Sequence, residues 1–344
     1  MYRIIFFFVL TQLSISSLFS QDFDYDLYKN NQTHTYESIT EGYKGLVKEF
    51  PQHCTLIDLG ESDVGQPIHL FVINASGKFE KEDFRGKAIL FINNAIHPGE
   101  PCGVDASIKL CRDILQDVPD NVVVGVIPMY NVGGALNRNC CSRANQNGPD
   151  MYGFRGNAKN LDLNRDFIKA DSKNTLAFYK AFHFLEPHLF VDTHTSNGAD
   201  YQHVMTLITS QTDKMHPFLS GYTKRKLSPF LFEKMEEEGY PMVPYMNQAK
   251  TIPDDGIVDY LETPRYSTGY TNLFNTISFV SEAHMLKSYE DRVEATYTLL
   301  DQLVKYAVKN SKELHELKRK ADYNTGFLEK VPLNWELDTA SHVM

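Results

Sequence analysis

The sequence predicts an α/β fold: a mixed, mainly parallel central β-sheet flanked by helices on both faces. Three observations lead there. Apolar runs such as "KAILFINNA" (87–95) are too continuous for a strand with one wet face and suit one buried on both. Amphipathic stretches of helical period lie between such runs. The strand, helix, strand spacing brings successive strands side by side and covers them with helices. With 344 residues, 42% of them hydrophobic, and no internal repeat or low-complexity linker, one large domain over 21–325 is the economical reading.

In chain order, residues 21–35 are polar and without period, and "YESITEGYKGLVKEFPQ" reads as a helix that Pro51 ends. "TLIDLG" and "PIHLFVINA" are strands joined by the turn "GESDVGQ". "KAILFINNA" is the buried third strand, followed by the loop "HPGEPCG", the helix "VDASIKLCRDILQDV" and the strand "NVVVGVIPMYN". Residues 131–160 are rich in Asn, Gly and Arg, and so long a loop in a compact domain is usually functional. "NTLAFYKAFHFLEP" is a helix and "HLFVDTHTS" a strand; residues 205–270 carry no clear pattern. The strand "NTISFVSEAHM" and a long helix from Tyr289 close the domain, and residues 326–344 form a tail or the start of a further segment.

The first twenty residues carry Arg3, an apolar stretch from Ile4 to Leu10 and a polar, small-residue end. They read as a secretory signal peptide cut near Gln21, which implies a secreted or periplasmic protein. No later stretch is apolar for long enough to span a bilayer, and no propeptide of evident size follows the leader, so no activating cut is expected. The net charge of -10 excludes a basic nucleic-acid surface. Five cysteines in a secreted chain leave at least one thiol over, with buried thiols and one or two bridges evenly balanced; a bridge between Cys140 and Cys141 would join neighbours.

Chemistry starts from His-x-x-Glu, a spacing that twelve histidines make likely to arise about once by chance. It occurs three times: His34 with Glu37, His97 with Glu100, and His183 with Glu186. The first lies in the polar amino-terminal stretch and the third at a helix end, where a solvated or helix-end role fits better. His97 and Glu100 leave the carboxyl end of a buried strand, where open α/β sheets collect their ligands, and Gly99 would let the backbone turn both side chains to one point. A catalytic zinc takes three protein ligands and keeps one position open. His194, at the end of "HLFVDTHTS", supplies the third. In "NLDLNRDF", Arg165 beside Asn164 offers the planar, two-pronged capture that a carboxylate needs.

In "HPGE", "NVGGALNRNCCSRAN", "LDLNRDF", "VDTHTS" and "SFVSEAHM", in that order over about residues 90 to 290, the chain resembles the zinc carboxypeptidases, the metallocarboxypeptidases typified by the pancreatic enzymes. The resemblance implies one Zn2+ held by His97, Glu100 and His194, with Asp162 behind His97 fixing its tautomer. It implies that Asn164 and Arg165 bind the terminal carboxylate of a peptide, and that Glu282 is the general base for a zinc-activated water. Arg143 is the implied polariser of the scissile carbonyl, with Arg138 and Arg155 behind it. Tyr260 is the implied substrate-capping tyrosine, in competition with Tyr266 and Tyr270. The family's Asn-Pro-Asp-Gly turn reads "NVGG" here. The expected partner is a peptide with a free carboxyl end, with side-chain preference set within 205–270. The alternatives are a zinc amidohydrolase acting on N-acyl amino acids or cell-wall peptides, and a binding protein without turnover.

Overall fold

The computed structural model describes residues 23–332 and 335, apart from 199, 249 and 252. The leader read in residues 1–20, and the tail beyond 332 except Trp335, lie outside the described residues. Helix α1 (Tyr36–Glu49) begins where the Thr35 side chain accepts the Ser38 N–H, and it buries Ile39, Tyr43 and Leu46. Strands β1 (Cys54–Glu61) and β2 (Pro67–Asn74) form an antiparallel ribbon. They are followed by β3 (Ala88–Asn93), α2 (Cys102–Ile114), β4 (Val122–Ile127) and the short α3 (Val132–Leu136). Then come α4 (Lys173–Leu185), capped by Ser172, and β5 (Leu189–Ser196).

The stretch without a readable pattern contains β6 (Met205–Thr209), α5 (Pro217–Tyr222), α6 (Ser228–Glu237) and β7 (Met242–Pro244). It goes on through a separate two-stranded piece, β8 (Met246–Gln248) with β9 (Ile257–Asp259), to α7 (Ser267–Asn272). Three-residue strands and six-residue helices are too short to impose a hydrophobic period; β6 and the helical run from α5 through α6 were long enough, and the sequence reading missed them. Strand β10 (Ile277–His284) and the 37-residue α8 (Tyr289–Thr325) complete the fold.

The main sheet runs β1-β2-β4-β3-β5-β10-β6-β7. The pairs β4/β3, β3/β5, β5/β10 and β6/β7 are parallel and the other three antiparallel, the mixed, mainly parallel sheet expected. Every residue of β3 and β5 is buried, as their apolar runs require. Helices α2 and α8 pack on each other and against the middle strands, while α4 lies on β1 to β3 and α7 on β5 and β10, so helices cover both faces. The packing is tight: a Cβ on Gly103 of α2 would lie 1.9 Å from the Thr193 hydroxyl of β5. Because β3, β5 and β10 are parallel neighbours, their carboxyl ends open on one edge, where His97, His194 and Glu282 arrive together.

Candidate active site

The chain leaves β3 through Ala95, a non-glycine residue in the left-handed region at φ 58°. That turn, rather than one at Gly99, aims the loop. Gly99 has ordinary negative-side backbone, and its lack of a side chain serves space instead, since a Cβ there would meet Arg143 at 2.9 Å and the Gly153 carbonyl at 3.1 Å. Asn131 locks the loop from outside. Its amide donates to the Ile96 and Arg155 carbonyls at 3.1 and 3.0 Å while its oxygen accepts the Gly134 N–H at the start of α3. The altered "NVGG" turn thus ties the His97 loop to the 131–160 loop.

His97, Glu100 and His194 are all buried, and one ligand atom from each lies within 4.8 Å of the others. The Nδ1 atoms of both imidazoles face Glu100, His97 at 3.3 Å from Oε1 and His194 at 2.9 Å from Oε2. Their Nε2 atoms face carboxylates on the far side, Asp162 at 2.9 Å and Asp192 at 3.1 Å. Two inward nitrogens and a carboxylate, with each imidazole backed by an acid, form the donor set that a divalent zinc takes. The other two His-x-x-Glu pairs are spent elsewhere. His34 bonds Ser38 and the Asp24 carbonyl, and Glu186 caps α4 and pairs with Lys81.

Burial alone would raise the pKa of Glu100, but Arg143, His97 and His194 hold it well below the usual carboxylate range. Burial would likewise lower His194, yet Asp192 and Glu100 raise it. Asp162, with His97 and Arg155 against it, is also held low despite desolvation. Glu282, opposite His194 in the β10/β5 register, keeps some exposure to the cleft, but the protein packed around it pushes its pKa up to about 7.

A cleft of about 250 Å³ opens over this cluster. Its walls include Asn164, Arg165, Glu282, Tyr245, Tyr260 and Tyr266, so Asn164, Arg165 and the carboxylate of β10 face the same space as the three metal-binding candidates. Arg165 stacks on Tyr266 with its guanidinium 4.6 Å from the ring centre, and its only protein acceptor among the described residues is the neighbouring Asn164 carbonyl. Arg155, partly exposed, reaches into the cleft and approaches Nδ1 of His97 at 3.3 Å. Arg143 is outside that cleft wall, bonded to Glu100 at 2.6 Å, to the Thr195 carbonyl and to Gln146. Arg138 holds backbone carbonyls of Thr33, His34 and Met151. Of the competing tyrosines, Tyr270 is buried among Phe178, Phe182 and Phe274 and bonded to His183, while Tyr260 and Tyr266 both line the cleft.

The sequence profile of the Peptidase M14 zinc carboxypeptidases matches residues 39–273. The chain belongs to the zinc carboxypeptidase family. The family is zinc-dependent, and the match ends ahead of Glu282. Among solved structures, carboxypeptidase A of Helicoverpa armigera shares 16% identity, covering 81% of this chain and 74% of its own at a TM-score of 0.59. The metallo-carboxypeptidase of Burkholderia cenocepacia shares 16% over 80% and 70%, with a TM-score of 0.58. The bovine thrombin-activatable fibrinolysis inhibitor, solved with a tick carboxypeptidase inhibitor, shares 12% over 83% and 99%, also at 0.58. At such identities the likeness is one of fold. No curated sequence matches the chain.

Two features of this carboxypeptidase fold escaped the sequence reading. Asp192 stands two residues before His194 in "VDTHTS", and a lone acid sharing a face with a histidine in an apolar strand was the available signal. Tyr245 had none. The cysteines divide as one bridge, Cys140 to Cys141 in the arginine-bearing loop, and three buried thiols, Cys54, Cys102 and Cys111. No helix of the described residues is long and apolar enough to cross a membrane.

Proposed function

We propose that the chain is a secreted zinc metallocarboxypeptidase that removes residues from the carboxyl end of peptides, with residues 21–325 as its catalytic domain. The observation that carries this reading is one cleft bringing together a two-histidine, one-carboxylate donor set, Glu282, and an arginine and asparagine placed for a terminal carboxylate. Zinc bound by His97, Glu100 and His194 supplies a Lewis acid and a water of lowered pKa. Arg165, its guanidinium held flat by Tyr266, grips the substrate's carboxylate with Asn164 and sets which peptide bond lies over the site. Glu282 takes a proton from the attacking water and returns it to the departing amine, a role suited to a carboxyl titrating near neutrality.

For the arginine that polarises the carbonyl, exposure favours Arg155 over Arg143. Both guanidiniums are engaged, Arg143 with Glu100 and the Thr195 carbonyl and Arg155 with Asp162, but Arg155 is the more exposed and lines the cleft. Arg143 then secures Glu100. Tyr260 and Tyr266 share the capping side, Tyr266 as the platform for Arg165 and Tyr260 as the cover beside it.

The test is incubation of the zinc-supplied chain with peptides bearing free or amidated carboxyl ends, read by mass spectrometry, with a chelator and Glu282→Gln as controls. Stepwise loss from free-ended peptides alone is expected. Cleavage of N-acyl amino acids with intact peptides would favour the amidohydrolase alternative, and bound zinc without hydrolysis of either class would favour a binding protein.

A further inference from the structure

Asp192 is a carboxylate with no exposed surface, in the strand at the middle of the sheet between β3 and β10. Burying such a group costs several kcal/mol unless charge and hydrogen bonds answer it. Two neutral donors reach it, the Asn93 amide at 3.3 Å and the Ser267 hydroxyl. Among the described residues no lysine or arginine pairs with it, and its one potentially cationic neighbour is His194, whose Nε2 lies 3.1 Å from Oδ2. That contact is close enough for an ion pair but short of hydrogen-bond alignment, and Nε2 is otherwise an unpartnered buried atom. The strand's period of two puts Asp192 and His194 on one face, so the pairing is built into β5.

The two imidazoles are therefore backed unequally. Asp162 divides its charge between His97 and two bonds from Arg155. Asp192 has no competing cation, so its charge is directed at His194. A histidine that gives one ring nitrogen to a metal must keep its proton on the other, and an acid beside that nitrogen fixes the tautomer and makes the ring a better donor. Ser267 adds a link. It opens α7 and lines the substrate cleft while its hydroxyl is committed to Asp192.

We infer that Asp192 is a positioning residue that orients His194 and sets the affinity of the site for zinc, and that Ser267 tethers it from the cleft wall. This rests on the zinc site proposed above. The experiment is a zinc titration of the metal-stripped chain against a chromophoric chelator, together with the melting temperature of the metal-free protein. Asp192→Asn, nearly the same shape without the charge, is expected to weaken zinc binding by about 10- to 100-fold, the usual cost of losing such a partner. The metal-free melting temperature should move little. Ser267→Ala, which keeps the charge and removes the tether, should weaken it by less than about 10-fold, and it serves as the test should the asparagine variant not fold. Wild-type affinity in the folded variants overturns the inference and leaves the proposed function standing. Failure of the unmodified chain to bind zinc overturns both.

Discussion

Two histidines bracket the same strand. His188 immediately precedes β5 and His194 is near its end, and burial hardly separates them, at 7% and 4% exposure. Their electrostatics are opposite. His188 accepts the Ile89 N–H on Nδ1 and is left neutral, its pKa pushed down to about 3 by burial, with Lys318 and His315 adding to the effect. His194 has Asp192 and Glu100 against its two nitrogens, and these outweigh burial. Burial sets the cost of a charge, and neighbours decide whether it is met. At the carboxyl edge of the parallel strands acids converge on a buried histidine that is a candidate metal ligand; at the other edge it is a packed acceptor.

The sharpest way to break this contrast is to remove each ring. His194→Ala should abolish zinc binding and cost at least about 10³-fold in kcat/KM, well beyond the 10–100-fold price of a supporting partner, while His188→Gln leaves both intact. Equal loss in the two, measured by metal content and peptide hydrolysis, would mean that burial rather than partnership matters.

Next comes the residue facing His194 across the strand pair. Glu282→Gln should lower kcat by about 10²- to 10⁴-fold, the range for a lost general base, with zinc content unchanged. A smaller effect would move the base elsewhere.

The two arginines on either side of Glu100 sharpen the distinction between holding a ligand and touching substrate. Arg155→Ala should reduce kcat by about 10²- to 10³-fold, as for a lost oxyanion donor, with a smaller loss of zinc affinity than Arg143→Ala. Arg143→Ala should instead weaken zinc binding. The reverse pattern would restore Arg143 to the cleft role that the motif order implied.

The last effect is on stability rather than activity. His188 is neutral when folded but protonates near 6.5 once unfolded, so the unfolded state binds the extra proton and stability falls as pH drops from about 6.5 toward 3. The slope from this group approaches about 1.4 kcal/mol per pH unit. Denaturant melts across that window should show it, and His188→Gln should flatten it.

How much of this was legible depended on period and burial. β3 and β5 announced themselves because continuous apolar runs have few other uses, and they fixed where His97 and His194 emerge. The region from β6 to α7 did not: its smallest strands are too short for a pattern, and the longer helical run from α5 through α6 was missed. The cleft walls Ile208, Tyr245, Ser267 and Thr268 come from that region. The choice among Arg138, Arg143 and Arg155 was equally hidden, because an arginine's target lies far away in the chain: Arg143 reaches Glu100, 43 residues back. Asp192 was in plain view and read as part of a strand. Only the fold placed Ser267, 75 residues on, against it.

The sheet order has a temporal side. β10 is the last strand made, yet it sits between β5 and β6, both synthesised earlier. A chain emerging from the ribosome carries His97, Glu100 and His194 well before Glu282 exists. Those three can gather while the cleft carboxylate of β10 is still missing. The proposed site is complete only once β10 has paired with both neighbours, contacts between residues distant in sequence.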